Sequence, residues 1–315
     1  MYKNKKIAAI VPAFNEEEQI IKVIASMHPC VDSIVIVNDD STDKTVAVIE
    51  SKMSNHPNII LLHHDSNQGV GGAIATGYKW ARDHKYDAVA VLAGDNQMDP
   101  KDLPALLDPI VNDEVDYTKA NRLIYAGSKQ LIPQKRFWGN AVLSLLTKIA
   151  SGYWHISDSQ TGYTVINLKA LQVIDWDTMY KRYGQPNDLL VRLNIHNFRV
   201  RDIPLKPVYN IGEKSKLKIR KVIFPISFLL IKLFFWRIRE KYIIRDFHPL
   251  VLFYAYGFFS LFVGIFMMLR FLTLWIVQGK APEITLILSL FCLGSGIQST
   301  FFAMWFDQDT NKNLR

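Results

Sequence analysis

The sequence predicts an α/β nucleotide-binding fold with a mainly parallel sheet, followed by basic amphipathic interface helices and two transmembrane helices. Three observations predict it. Short apolar runs alternate with helical patterns up to about residue 210, a basic, aromatic-rich stretch occupies 213–246, and two long uncharged runs lie beyond it. The 315 residues suffice for one sizeable domain with an appendage.

The runs at 7–11, 34–37, 59–62 and 88–92 read as strands, and 16–27, 42–54 and 71–85 carry apolar residues at helical spacing. Near-continuous apolar strands separated by helices imply a parallel sheet covered on both faces. Ligands of such sheets bind outside the carboxyl ends of the strands. The site candidates are therefore the polar residues just past each strand: Pro12, Phe14, Asn15 and Glu16; Asn38, Asp39 and Asp40; Asp95 and Gln97. A dinucleotide fingerprint is excluded, because the first turn reads PAFNEE and Ile74 stands where the last glycine of the 67–73 loop would fall. A P-loop lysine is also missing.

The stretch VLAGDNQMDP at 91–100 carries two aspartates with different jobs. Asp99, Pro100 and Asp102 read as a helix start: a cap acceptor, a proline at the first helical position and an acid in the first turn. Asp95 stands at the strand tip, among the site candidates. Asp43 reads as lying near the cap of the helix that follows Ser41.

Met1-Tyr-Lys-Asn-Lys-Lys leads directly into the first strand, so no signal peptide is expected. Cys30 and Cys292 stand in dissimilar surroundings, which suits reduced thiols and a cytosolic N-terminal part. The net charge of +8 concentrates at 213–246, where Lys214, Lys216, Arg237, Lys241 and others interleave with Phe224, Phe228, Phe234, Phe235 and Trp236. That mixture suits a helix lying in an anionic membrane interface better than a nucleic-acid surface. No nucleic-acid partner is expected.

The runs 250–269 and 284–306 are each long enough to cross roughly 30 Å of hydrocarbon. The turn at 278–283 is nearly uncharged, whereas the flank before the first span is basic, so both termini are expected inside and that turn outside. Arg270 is expected to snorkel towards the outer interface.

VPAFNEE (11–17), VNDDSTDKT (37–45), NQGVGGAIATG (67–77) and AGDNQMDP (93–100) together resemble, in order and spacing, the inverting family-2 glycosyltransferases. The match is closest to the branch that moves a sugar from a nucleotide onto a polyprenyl phosphate, and it runs over about 7–209. The resemblance implies a GT-A fold, a bacterial-type membrane location, a UDP- or GDP-hexose donor, a polyprenyl phosphate acceptor, membrane lipids as partners and a homo-oligomer, a tetramer in related enzymes. It also assigns roles. Pro12, Phe14, Asn15, Glu16, Asp39 and Gly71 would hold the nucleotide, with Gln160 and Asp188 on the sugar side. Asp95 would bind a divalent ion, Mg²⁺ or Mn²⁺, with Gln97 as a further oxygen ligand. Ala93 stands where the family has the first carboxylate of D-x-D. Arg122, Arg136, Thr161 and Lys214 would meet the acceptor phosphate, and Asp95, Asp158 and Arg136 would carry the catalysis. Lys214 or Lys216 would sit on a lid.

The organisation expected is a catalytic domain at 1–212, juxtamembrane helices at 213–247, a transmembrane hairpin at 248–307 and a tail at 308–315. Two other readings compete. A processive polysaccharide synthase usually carries Q-x-x-R-W, which Gln134-Lys-Arg-Phe-Trp138 misses by one residue, and two spans give little protein for a channel. An inactive nucleotide-sugar-binding scaffold has Ala93 as its support.

Overall fold

A computed structural model describes residues 1–54, 56–94, 98–207, 219–279 and 281–315, leaving out the side chains of 135, 136 and 219–223. The chain divides into two compact units, 1–234 with 314–315, and 235–313.

The first unit opens with β1 (Ile7–Ala13), α1 (Ile20–Ser26), β2 (Ser33–Asn38), α2 (Thr45–Met53), β3 (Ile59–His63), α3 (Val70–Asp83) and β4 (Ala88–Val91). It continues with α4 (Leu103–Val111), β5 (Tyr117–Asn121), α5 (Ser128–Leu131), α6 (Gln134–Ser151), β6 (Thr164–Asn167), α7 (Leu168–Val173), α8 (Gln185–Ile195) and β7 (Val200–Pro204). The seven strands form one sheet in the order β3-β2-β1-β4-β6-β5-β7. β1 pairs in parallel with β2 and β4, β2 with β3, and β5 with β7, while β6 runs against β4 and β5. The mainly parallel sheet expected from the apolar runs is therefore present.

Side chains alternate across it. Ala8 and Ile10 of β1 join a core with Tyr78, Leu171 and Leu189, and Ile7, Ala9 and Val11 join the opposite core with Ile20, Ile49 and Leu107. Both faces are covered, so the strand tips are left as the place where polar groups gather. Asp99 caps a short 3₁₀ turn, Pro100–Asp102, by accepting from the Lys101 amide at 2.9 Å, as its local pattern predicts. Asp43 accepts from the Thr45 amide at 2.9 Å, at the start of α2.

α9 (Ile219–Arg239) contains the division between the units. Within the first unit Leu229 packs on Gly184, where a Cβ would lie 2.4 Å from Leu229 Cδ2. In the second unit a π-helical turn, Glu240–Arg245, precedes α10 (Leu250–Gln278) and α11 (Glu283–Thr310). Both helices are long and apolar enough to cross a membrane, with mean hydropathy 2.1 and 1.6. They run antiparallel, bonded by Ser299 Oγ to Phe253 O, Ser260 Oγ to Cys292 O and Ser289 Oγ to Gly264 O.

Candidate active site

The carboxyl ends of β1 and β2 lie side by side, with Pro12 opposite Val37 and Ala13 opposite Asn38. The turns that leave them are sewn together. Asn15, at φ +53°, donates its amide to Ser41 Oγ at 3.1 Å and accepts the Thr42 amide on Oδ1 at 2.9 Å. The Glu16 amide donates to Thr45 Oγ1 at 2.9 Å, and Phe14 stays 40% exposed on the rim. The tip of β4 joins them, because a Cβ on Gly94 would meet Pro12 O at 3.2 Å and Glu16 Cγ at 3.6 Å. The structure thus gathers Pro12, Phe14, Asn15 and Glu16 at one edge. Asn15 serves there as the clamp of two turns.

Asp39 is buried and already engaged. Its carboxylate accepts the Gln68 and Gly69 amides at 2.8 Å each and faces His64 Nδ1 at 2.8 Å. His64 Nε2 in turn lies 2.9 Å from Thr76 Oγ1 on α3. The carboxylate is thus a latch that fixes the glycine loop to β2. His64 escaped the sequence reading, although His63-His64-Asp65 follows directly on the third apolar run.

Gly71 has a structural reason of its own. The resemblance places it against the nucleotide, but its amide donates to Lys181 O at 2.9 Å, and the Gly72 amide reaches the same oxygen at 3.2 Å. A Cβ on Gly71 would stand 2.3 Å from Tyr180 O and 2.8 Å from Gln185 Cβ. Gly69 and Gly71 admit the 180–185 backbone at the start of α3, and a Cβ on Gly72 would meet Gln68 Cβ at 2.7 Å. Gly71→Ala is expected to destabilise the chain by about 3 kcal/mol. Gly139→Ala, where a Cβ meets nothing within 4 Å, is expected to be neutral or slightly stabilising. Thermal unfolding of the two variants checks the contrast.

Asp158 and Arg122 form one group. Asp158 is fully buried at φ +49°, and accepts the Arg122 amide at 2.9 Å, Nε at 2.7 Å and Nη2 at 2.8 Å. Burial alone would raise its pKa, but the hydrogen bonds and charge of Arg122, with Lys119 behind, hold the carboxyl below its ordinary range. Asp158 thus fixes the guanidinium of Arg122.

The loop that carries Asp158 is held from below. Lys119 Nζ donates to Asp202 Oδ1 at 2.8 Å and to Ser157 O, Asn121 Nδ2 donates to Asp202 Oδ2, and the Ser157 amide reaches the same carboxylate at 2.7 Å. This buried network also escaped the sequence reading.

Thr161 and Asp188 are likewise held by neighbours. Thr161 is 4% exposed, and its hydroxyl accepts the Tyr163 amide at 3.4 Å within its own loop. Asp188, 2% exposed on α8, accepts the Tyr180 amide at 2.8 Å and Arg192 Nε at 3.1 Å. It anchors the 180–182 segment on which the glycine loop rests. Gln160 is half-buried and donates weakly to Ser159 Oγ at 3.3 Å and Asn187 Oδ1 at 3.4 Å.

Asp95, Gln97, Lys214 and Lys216, with the side chain of Arg136, lie outside the described residues. Among the described residues no group of three or more His, Cys, Asp or Glu is placed to hold a metal. The donor set that remains, a carboxylate at 95 and a carboxamide at 97, suits a hard divalent cation whose shell phosphates and water complete.

A sheet of this topology, with polar turns gathered at the tips of its parallel strands, defines a GT-A type transferase domain. The glucosyl-3-phosphoglycerate synthase of Mycobacterium tuberculosis, in complex with Mn²⁺, UDP and glucosyl-3-phosphoglycerate, has this fold, with TM-score 0.56 and 18% identity over 74% of this chain and 80% of that one. The chain belongs to glycosyl transferase family 2, whose profile matches residues 8–175, and it is a glycosyltransferase. The UDP-N-acetylglucosamine–dolichyl-phosphate N-acetylglucosaminyltransferase of Methanococcus voltae is 31% identical over 219 residues, 65% of this chain and 87% of that protein. The undecaprenyl-phosphate mannosyltransferase of Micrococcus luteus is 25% identical over 215 residues, 67% and 87% of the two chains.

Proposed function

We propose that the chain transfers a hexose from a UDP- or GDP-linked donor to a polyprenyl phosphate at the cytosolic membrane face, with inversion at the anomeric carbon. The observation that carries this reading is the pairing, in one chain, of a family-2 domain with two helices of spanning length, in company with relatives named for polyprenyl phosphate acceptors. A polyprenyl tail stays in the bilayer, so its transferase needs a membrane anchor. The basic flank 213–247 supports a cytosolic catalytic domain at 1–212 with both termini inside.

The acceptor explains why the site needs no general base. A phosphate monoester has a second pKa near ~6 and is already an oxyanion at neutral pH. It attacks the anomeric carbon while the bond to the nucleoside diphosphate breaks, and no proton has to leave. Arg122, fixed by Asp158, and Arg136 supply positive charge for the phosphates. Asp95 and Gln97 would hold Mg²⁺ or Mn²⁺, which when bound offsets the charge of the departing diphosphate. Phe14, exposed, and Pro12, half-buried, offer the rim for the nucleotide.

Membranes holding the chain, given labelled nucleotide-sugar and polyprenyl phosphate, should yield a lipid-linked monosaccharide. A polymer would instead indicate a processive synthase, and nucleotide-sugar binding without product an inactive scaffold. Asp95→Asn is expected to lower transfer on the order of 10²–10³-fold and to weaken Mn²⁺ binding measured by calorimetry without substrate. Unchanged binding and rate would remove Asp95 from the site.

A further inference from the structure

We propose that Thr147 is a positioning residue whose buried hydroxyl sets the spacing between Arg122 and Arg136, the two cations assigned to the phosphates. The inference rests on the proposed reading for what these arginines meet, and on the geometry of the first unit for how they are held. Three consecutive residues of the loop past α6 are each gripped by a different part of the fold. The Ser157 amide donates to Asp202 of β7 at 2.7 Å, Asp158 accepts both Nε and Nη2 of Arg122, and Ser159 Oγ lies 3.1 Å from Thr147 Oγ1. The first two contacts hold Arg122 to the sheet. The third ties the same loop to α6.

α6 is the helix on which the other cation stands. Arg136 comes eleven residues before Thr147, three turns and roughly 16 Å away at about 1.5 Å per residue. At about 100° per residue, the two positions fall within about 20° of one helical face. A slide or roll of α6 against the loop moves Arg136 relative to Arg122, and the bond at Thr147 opposes it.

Thr147 reaches a third element as well. Its hydroxyl lies 3.0 Å from Asn187 Oδ1 in the first turn of α8 and 2.8 Å from Leu143 O of its own helix. The contact with Leu143 selects one rotamer of a β-branched side chain, which aims the hydroxyl at its two neighbours. Thr147, Ser159 and Asn187 are all buried, so bulk water does not replace a lost bond. Asn187 depends on it most. Its Nδ2 makes no hydrogen bond among the described residues, and the carboxamide's other contact, from Gln160 Nε2, is long at 3.4 Å.

Thr147→Val keeps the shape without the hydroxyl, and Thr147→Ser keeps the hydroxyl without the methyl. Both are made in the full chain in lipid nanodiscs, and formation of lipid-linked sugar is followed with each substrate varied. Thr147→Val is expected to lower kcat about tenfold, with the nucleotide-sugar KM within roughly twofold of wild type. Thr147→Ser should recover most of the rate. In an Arg122→Lys background, where the forked hold of Asp158 is already broken, Thr147→Val should cost less than about twofold, because both changes act through one guanidinium. A threonine that only supports the fold would cost the same in both backgrounds. Equal costs overturn the proposal, as does a Thr147→Val rate like wild type or a Thr147→Ser rate no better than that of Thr147→Val. A second readout needs no turnover. Inorganic pyrophosphate, titrated into the same preparations by calorimetry, is expected to bind Thr147→Val at least about threefold more weakly than wild type. If wild type makes no lipid-linked sugar while that difference holds, the acceptor assignment fails and the positioning role stands. Pyrophosphate binding that is alike in the two, or absent from wild type, overturns the role itself.

Discussion

Asp307→Asn is expected to destabilise the second unit by about 3–5 kcal/mol, read as a lower melting temperature of the full chain in detergent. Asp307 and Arg237 are both fully buried and joined by two bonds, Nη1 to Oδ1 at 2.7 Å and Nη2 to Oδ2 at 3.0 Å. Tyr242 donates its hydroxyl to the same carboxylate at 2.6 Å, and Asn311 Nδ2 reaches it at 3.0 Å. Removing the charge leaves a guanidinium in a dry place with its main partner gone. The double variant Arg237→Leu with Asp307→Leu is expected to recover most of the loss, since neither desolvated charge then remains. A double variant no more stable than Asp307→Asn would show that packing, not charge pairing, sets the cost.

Lys241 gives the same cluster a pH dependence. Burial first, and then the charge of Arg237, push its pKa down to about 7, against the opposing pull of Asp307. Its Nζ donates to Asn311 Oδ1 at 2.7 Å. The folded chain therefore holds fewer protons here than the unfolded one between about pH 7 and the ordinary 10.5. Stability should rise with pH across that window, and Lys241→Met should remove the slope.

What the sequence made legible follows the range of each interaction. β1 to β4 were readable because each is a short run of apolar residues, buried on both faces in β1, β2 and β4 and half-buried in the edge strand β3, a signal contained in the strand itself. The cap at Asp99 was readable for the same reason, since its partner is two residues away. β5 was not. Its sequence, YTKAN, hides Lys119 and Asn121 in the interior, and both are made tolerable by Asp202, more than eighty residues on. Gly71 and Asp188 share that difficulty. Their roles depend on where the 180–185 backbone crosses α3, and no local period reports that crossing. A motif preserves the residue types of a site without telling which ones touch a ligand and which hold the loops that do.

That distinction is open to test at Asp158→Asn. The substitution keeps the shape and tolerates the positive φ, and it removes the charge and one of the two acceptor oxygens. Transfer is expected to fall about 10²-fold, because Arg122 keeps at most one of the two side-chain bonds that fix its guanidinium. Stability is expected to fall by about 3 kcal/mol at neutral pH. The sign of the pH dependence follows from the depressed pKa: the charged pair stabilises the chain above the unfolded value near ~3.9 and loses that contribution as pH drops through the folded value. The gap between wild type and variant should accordingly be full at pH 7 and close on acidification. A general base would behave differently. It would give a rate that rises with pH through its own ionisation near neutrality, and the variant would lose that limb without losing stability. If the variant turns over normally and unfolds like wild type, the Arg122–Asp158 pair neither positions the phosphates nor holds the loop.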